Sequence, residues 1–399
     1  MSGTDAVVIG AGIGGLATAV GLTGLGWRVT VLERAAALRP VGSGIGLTPN
    51  GVRALAVIGA KQQVMARAIE QTHGGVRRPD GRWISRTDLD FIRRRFGDPV
   101  LSIHRAELID ALAALLPAGT LRTGTTAHIG SSGDATRKAV VRTDDGELTA
   151  DLVVAADGIR SATRRALFPH HPEPRYAGYT SWRMVLRAPD VTVAGETWGR
   201  GLRFSILPLP GGLVHCSALA VAPPGSANDQ ADLVARFGGW HSPIPRLLAM
   251  VSEESLLHND IEDLSTPLPE FHHGRVVLVG DAAHAMTPNL GAAGLALEDA
   301  TAVMHTVGPA DASTVDRMPT APVRYTRLRR PRSVTLTRQS RRIGAVGCWT
   351  AAPAVALRDL GVAAAGLLPS AVTVRALDRL MGWQPSQVDD RIAPQWRTS

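Results

Sequence analysis

Residues Asp5 to Glu33, DAVVIGAGIGGLATAVGLTGLGWRVTVLE, read as a strand, a glycine turn, a helix and a second strand. Gly10, Gly12 and Gly15 have the G-x-G-x-x-G spacing of a dinucleotide-binding turn, with Gly14 beside them. In that reading Gly10 permits the sharp exit from the strand, Gly12 lets the backbone approach a pyrophosphate, and Gly15 lets the helix pack close to the sheet. The pyrophosphate then faces a helix N-terminus, where free N–H groups and the macrodipole favour negative charge. Glu33, closing the second strand, is placed to accept the hydroxyls of an adenosine ribose. The glycine spacing alone is weak in a chain with 42 glycines, and the flanking strands and terminal Glu give it weight.

Working outward, Arg34 leads to the loop Pro40 to Asn50, PVGSGIGLTPN, whose Gly44 suits a backbone close to a ligand, and a helix is expected from about Gly51. Residues Gly74 to Asp98 predict a strand pair turning at Asp80–Gly81. Ser102 to Leu116 has helical periodicity and carries Arg105 in its first turn, where basic charge is unfavourable unless it answers an anion. Leu152 to Ala156 reads as a buried strand ending in Asp157–Gly158, at the sheet edge where α/β folds bind ligands. From Tyr176 to Ser265 the pattern changes to β alternation, which predicts a separate sheet carrying Trp182, Arg203 and His215 as pocket candidates; each also has an ordinary structural reading. The α/β pattern returns with the strand Arg275 to Val279, the Gly280–Asp281 turn and a helix over Leu290 to His305 containing Glu298 and Asp299. A loop-like linker, Pro309 to Pro322, then precedes a helical remainder. The fold class expected is α/β, with a discontinuous Rossmann-type domain. It comprises residues 1–72, 100–171 and 269–322, with a mixed β-sheet substrate domain from 73–99 and 172–268 and C-terminal helices over 323–399.

Composition excludes whole-chain disorder: 45% of the 399 residues are hydrophobic and 20% charged. Cys216 and Cys348 have no metal-ligand spacing, and the first residues enter a strand without a signal sequence, so no metal site and a cytoplasmic location are expected. Ala351 to Val374 is apolar but interrupted by Arg358, Asp359 and Pro369, which predicts an amphipathic helix pair and not a membrane span. The net charge of +8 and the eight arginines between Arg324 and Arg342 raise the question of nucleic acid. Only Lys61 and Lys138 are lysines and no aromatic residues interleave the cluster, so a solvated basic helix face is the reading adopted and no nucleic-acid partner is expected.

Three stretches occur in one order: GAGIGG with Glu33, ADGIRSATRR, and GDAAHAMTPNLGAAGLALEDA. Together they resemble the single-component FAD-dependent aromatic monooxygenases of the para-hydroxybenzoate hydroxylase superfamily. GIGLTPNGVRAL, HRAEL, RYAGYTSW and LMGWQP are similar to the salicylate hydroxylase and FAD-dependent urate hydroxylase group. The resemblance covers essentially the whole chain and implies a glutathione-reductase-like FAD domain. It places Gly10, Gly12 and Gly15 on the FAD pyrophosphate, Glu33 on the adenosine ribose and Arg105 near the phosphate and ribitol. It further places Asp157 near the pyrophosphate and nicotinamide path, Asp281 on the ribitol, and Pro288 to Gly294 at the isoalloxazine ring.

The activity so implied is hydroxylation of an electron-rich aromatic molecule with NADH or NADPH and O2, through a C4a-hydroperoxyflavin. The expected partners are those small molecules, with the protein a monomer or homodimer. His215 is the candidate to deprotonate a phenol and Arg203 to hold a substrate anion or the flavin edge, while Trp182 and Pro288 join them in lining the substrate. Two departures from the family pattern stand out. Gly291, Ala292 and Ala293 replace the usual Gly-Gln-Gly, which leaves flavin binding intact but puts the position of the ring in question. Asn289 and His215 stand where urate-type members have an acidic residue and a tyrosine, which favours a phenol or other electron-rich ring over urate. The rivals are a flavin oxidase or reductase of the same fold that transfers no oxygen, and a basic nucleic-acid or membrane-surface binder with structural FAD.

Overall fold

The strand Asp5–Ile9 is buried because parallel strands flank it on both sides, Arg28–Leu32 and Leu152–Ala155. The computed structural model describes residues 4–38, 43–226, 229–365 and 377–385. In it these strands belong to a six-stranded sheet in the order His272–His273, Val276–Leu278, Leu152–Ala155, Asp5–Ile9, Arg28–Leu32, Leu121–Arg122. Every pairing is parallel except that of the edge strand His272–His273. The carboxyl ends of four neighbouring strands therefore share one edge, and the residues that follow them, Gly10, Glu33, Asp157 and Asp281, project there.

Two helices reach that edge with unusually small residues. Ile13–Gly24 leaves the glycine turn, and a Cβ on its Gly14 would stand 3.4 Å from Ala296 Cβ on the helix Ala292–Val307. On its other side Ala292–Val307 meets the helix Pro49–Ile58, where a Cβ on Gly51 would come within 3.1 Å of Gly294 Cα. A larger residue at either crossing would push the sheet-edge helices apart.

The second sheet has seven strands, ordered Leu257–Asp263, Arg175–Arg187, Leu213–Val221, Leu202–Leu209, Gly195–Trp198, His73–Arg77, Trp83–Asp88. Strand alternation gives it two unlike faces. Trp182, Met184, Phe204, Cys216 and Ala218 form the apolar face, covered by the helices Gln230–Phe237 and Ile244–Leu248. Ser181, Arg183, Arg203, Ser205, His215 and Ser217 alternate with them and form the other face, which meets the rest of the molecule.

Several elements differ from their expected form. Leu101–His104 is a strand, and the helix begins only at Arg105, because Ser102 and Ile103 pair with Gly46 and Ile45. After the hairpin lies a helix, Leu89–Phe96, capped by Asp88, which accepts from Phe91 N at 3.1 Å. From Ala351 onward the described residues hold a helix, Ala352–Ala365, with Arg358 and Asp359 buried; the expected partner over 366–374 lies outside the described residues. The arginine-rich stretch is one long helix, Ala321–Gly347, and it is not simply a solvated basic face. Arg329 is 1% exposed between Glu298 and Asp299, Arg332 also pairs with Glu298, Arg341 pairs with Asp263, and Arg330 donates to Leu268 O. Four of the eight arginines are thereby spent inside the protein. The LMGWQP segment is held from two sides: Arg53 donates to the carbonyls of Met381 and Trp383, and Arg332 to those of Arg379 and Leu380. Among the described residues no helix is long and apolar enough to cross a membrane.

Candidate functional site

Each glycine of the first turn has a distinct reason to lack a side chain. Gly10 has φ +102°, and a Cβ there would lie 2.5 Å from Ala156 O; at Gly15 it would lie 2.1 Å from Gly10 O. A Cβ on Gly12 would meet nothing within 4 Å, so this glycine faces open space at the mouth of the helix. The helix hydrogen bonds begin with Leu16 N to Gly12 O at 2.9 Å, which leaves the preceding amides of the first turn directed into that space. That is the cradle an oxyanion pair fills.

Around it stand charged groups from three other strand ends. Glu33 accepts Ala11 N and Ala35 N, both at 2.9 Å, so it is tied to the glycine turn while keeping lone pairs for a diol. Arg105 is half-buried at the start of its helix; its guanidinium has no hydrogen-bond or ion-pair partner among the described residues, while its backbone amide donates to Ser43 O at 2.9 Å. Asp281 projects into the cleft, solvent-accessible yet surrounded by protein; this crowding raises its pKa, with His284 and Arg105 opposing. Asp157 lies beside Gly10, but its oxygens are committed to its own segment, accepting Ser161 Oγ at 2.6 Å and Thr163 N at 3.0 Å. Arg34 is exposed beyond Glu33.

The loop after Asp281 brings Pro288, exposed, and Asn289 to the start of the helix Ala292–Val307. Gly291 caps that helix with φ +69°, whereas no described non-glycine residue has positive φ. Ala292 and Ala293 are therefore ordinary helical residues and incur no backbone cost for replacing glycine. Their amides precede the first helix bonds, and a Cβ on the neighbouring Gly291 would stand 3.8 Å from Thr48 Oγ1, just after the strand Gly44–Leu47.

Facing this loop is the polar side of the second sheet. Arg203, 2% exposed, donates to Asn289 Oδ1 at 2.6 Å and to Glu196 at 2.7 Å. Asn289 donates onward to Thr287 Oγ1 and Ser340 O, both at 3.0 Å. Arg203 thus joins the loop of Pro288 and Asn289 to the sheet, with only Nε buried and unpaired, and does not extend a free guanidinium to a substrate. His215 packs against the backbone of Gly44, where a Cβ would come within 2.6 Å of His215 Cβ. Its Nδ1 is buried without a partner, and desolvation, with Arg183 nearby, depresses its pKa to about 4. Arg183 holds Asn259 Oδ1 at 2.5 Å but leaves a buried Nε unpaired. Trp182 corrects its expected role: it is fully buried on the opposite face against Phe237 and His258, because adjacent strand residues point to opposite sides.

A family profile described as an FAD binding domain matches residues 3–229, more than half of the chain. The chain belongs to that family. It is 36% identical over 90% of its length, and 93% of the relative's, to an aurachin C monooxygenase/isomerase of Stigmatella aurantiaca. It is 37% identical over 84% of its length, and 86% of the relative's, to a 3-amino-4-hydroxybenzoate 2-monooxygenase of Streptomyces cremeus. Its fold matches the crystal structure of Klebsiella pneumoniae HpxO complexed with FAD and uric acid, with a TM-score of 0.83, 24% identity, and coverage of 95% of this chain and 96% of that one. The protein is an FAD-dependent monooxygenase of the para-hydroxybenzoate hydroxylase type, and FAD is its cofactor. The open space at Gly12, unpartnered Arg105, the accessible Asp281 carboxylate and the free amides at Ala292 and Ala293 fit the pyrophosphate, ribitol and ring of that molecule.

Sequence reading passed over Arg183, Glu196 and the serines 181, 205 and 217. Their alternation with apolar residues was visible in the sequence. What it could not show is which face of the sheet the helices Gln230–Phe237 and Ile244–Leu248 would cover.

Proposed function

We propose that this monooxygenase hydroxylates a phenol- or aminophenol-like ring, using NADH or NADPH as a transient co-substrate. The observation that carries the reading is the pair His215 and Arg183, two partly unsatisfied groups on the polar face opposite the loop Pro288–Ala293. When bound, FAD would carry the reducing equivalents of NADH or NADPH and supply the oxygen chemistry. The chain's own contribution is to seat and polarise the substrate. His215 is neutral at pH 7, so Nδ1 accepts a hydrogen bond from an acidic O–H, and the adjacent Arg183 charge favours the resulting anion. Transfer of that proton to Nδ1, where the resulting imidazolium is offset by the phenolate it faces, enriches the ring in electrons where oxygen is to be received. Ser181, Ser205 and Ser217 give the floor further polar contacts, with Ser181 Oγ 3.2 Å from Ser217 Oγ. A relative acting on 3-amino-4-hydroxybenzoate supports this substrate class.

The test is a panel of phenols, aminophenols, hydroxybenzoates and urate, scored for accelerated NADH or NADPH oxidation together with hydroxylated product and H2O2. Product from a phenolic compound, with His215→Gln lowering its yield by roughly 10²-fold, is the expected result. Oxidation of NAD(P)H coupled only to H2O2 with every ring would instead support the oxidase or reductase rival.

A further inference from the structure

Two consecutive carboxylates on the helix Ala292–Val307 are fully buried and play no part in the site just described. Asp299 Oδ2 accepts the Gly280 amide at 2.8 Å and lies 2.5 Å from His284 Nε2, while Oδ1 accepts Arg329 Nε at 2.7 Å. Glu298 accepts from Arg329, Arg332 and Asn50, each at 2.7 Å. Asn50 in turn accepts from Thr48 Oγ1 at 2.6 Å, and that hydroxyl lies 3.8 Å from where a Cβ on Gly291 would stand. The pair therefore reaches both positive-φ glycines that bracket the ring region: Gly280, immediately before Asp281, and Gly291, immediately before the free amides of Ala292 and Ala293. The two carboxylates are matched by the two guanidiniums of Arg329 and Arg332, yet such buried ion clusters are in general no more stabilising than a packed apolar core. Their geometry has a different use. Helices that could otherwise slide on their small-residue crossings are locked to one another and to the turn after Val276–Leu278.

We infer that Glu298 and Asp299 are positioning residues that fix the distance between Asp281 and the N-terminus of Ala292–Val307, and so the seat of the flavin ring between them. This rests on the placement of FAD given above. Breaking the Asp299 contact to Gly280 frees the turn that carries Asp281, and breaking the Glu298 contact to Asn50 frees Thr48 and the Gly291 cap.

The experiment uses the full-length protein stripped of flavin and reloaded, with Asp299→Asn and Glu298→Gln as near-isosteric neutral variants and Asp281→Ala as a control on cofactor placement. Four quantities are read: the FAD dissociation constant, the visible spectrum of bound flavin, its midpoint potential, and apoprotein stability in urea. Both network variants are expected to bind FAD roughly tenfold more weakly, as loss of one charge-assisted hydrogen bond implies, and to shift the spectrum and the potential. Asp281→Ala should weaken FAD with the urea midpoint unchanged. If the network variants lose urea stability while affinity, spectrum and potential stay at wild-type values, the network is purely structural and the inference is overturned. If Asp281→Ala also leaves FAD affinity unchanged, the placement of the flavin is wrong and the inference falls with it. Should Asp299→Asn and Glu298→Gln fail to fold, His284→Gln and Thr48→Ala carry the test; wild-type spectra and potentials in both would overturn it.

Discussion

At the scale of single residues, Gly12 and Gly15 separate binding from folding. A methyl group at Gly15 would sit 2.1 Å from Gly10 O and has no flexible neighbour to yield, so Gly15→Ala should cost about 3 kcal/mol in urea unfolding of the apoprotein. The same group at Gly12 meets nothing within 4 Å, so Gly12→Ala should leave that stability within about 0.5 kcal/mol and weaken FAD binding about tenfold. Equal destabilisation by both would remove Gly12 from the pyrophosphate site. His215 gives a prediction in pH. Its pKa falls from 6.5 to about 4 on folding, so between those values the unfolded chain takes up a proton that the folded chain refuses, and stability falls as pH is lowered. The wild type should lose roughly 3 kcal/mol more than His215→Gln between pH 6.5 and 4. Parallel pH profiles would show that the ring is not buried as described. The glycines were legible in the sequence because their constraints are local to one turn. Arg203 was misread because its partners, Glu196 and Asn289, arrive from a neighbouring strand and a distant loop, and no local pattern announces such pairings.

At the scale of elements, the long helix Ala321–Gly347 bridges the two sheets. Near its start, Tyr325 Oη donates to Leu278 O at 2.8 Å; near its end, a Cβ on Gly344 would press to 2.7 Å from Tyr179 Oη and 2.9 Å from Asn289 Nδ2. Gly344→Ala should therefore displace Asn289 from Arg203, raising H2O2 released per NAD(P)H consumed while leaving the FAD content per chain near wild type. Unchanged product and peroxide would show that the bridge tolerates the shift. The start of Ala292–Val307 needs a revised expectation. Both alanines have ordinary helical φ, so Ala293→Gly should increase helix fraying by about 1 kcal/mol and not improve coupling. A lower peroxide yield in Ala292→Gln/Ala293→Gly would show that the missing glutamine contact matters more than helix propensity. The strand and helix periods were readable for most elements. Leu101–His104 was hidden because three apolar or small residues before a helix do not reveal that a neighbouring strand will claim them.

At the scale of the whole molecule, the function proposed above gives the strand ends of one sheet to the cofactor and the polar face of the other to the substrate. Ser217→Ala and His215→Gln should consequently change which phenols are turned over while the purified protein keeps its yellow colour and FAD-to-chain ratio. A fall in that ratio for both would show that the two faces are not functionally separable. The net charge of +8 is a poor guide to the surface, since Arg164, Arg203, Arg275, Arg329 and Arg358 are all at most 5% exposed. The helix Ala352–Ala365 turns the usual arrangement inside out. Arg358 is anchored on Gly199 O and Gly347 O at 2.9 and 3.2 Å, and the rotation this imposes leaves Leu357 and Leu360 65% and 66% exposed among the described residues. Hydrophobic side chains held outward by a buried ionic peg behave as a grease spot that cannot be tucked away. Ammonium sulfate should precipitate this enzyme at a concentration well below that for Leu357→Ser/Leu360→Ser, and an octyl resin should retain it longer, although the two proteins would melt at nearly the same temperature.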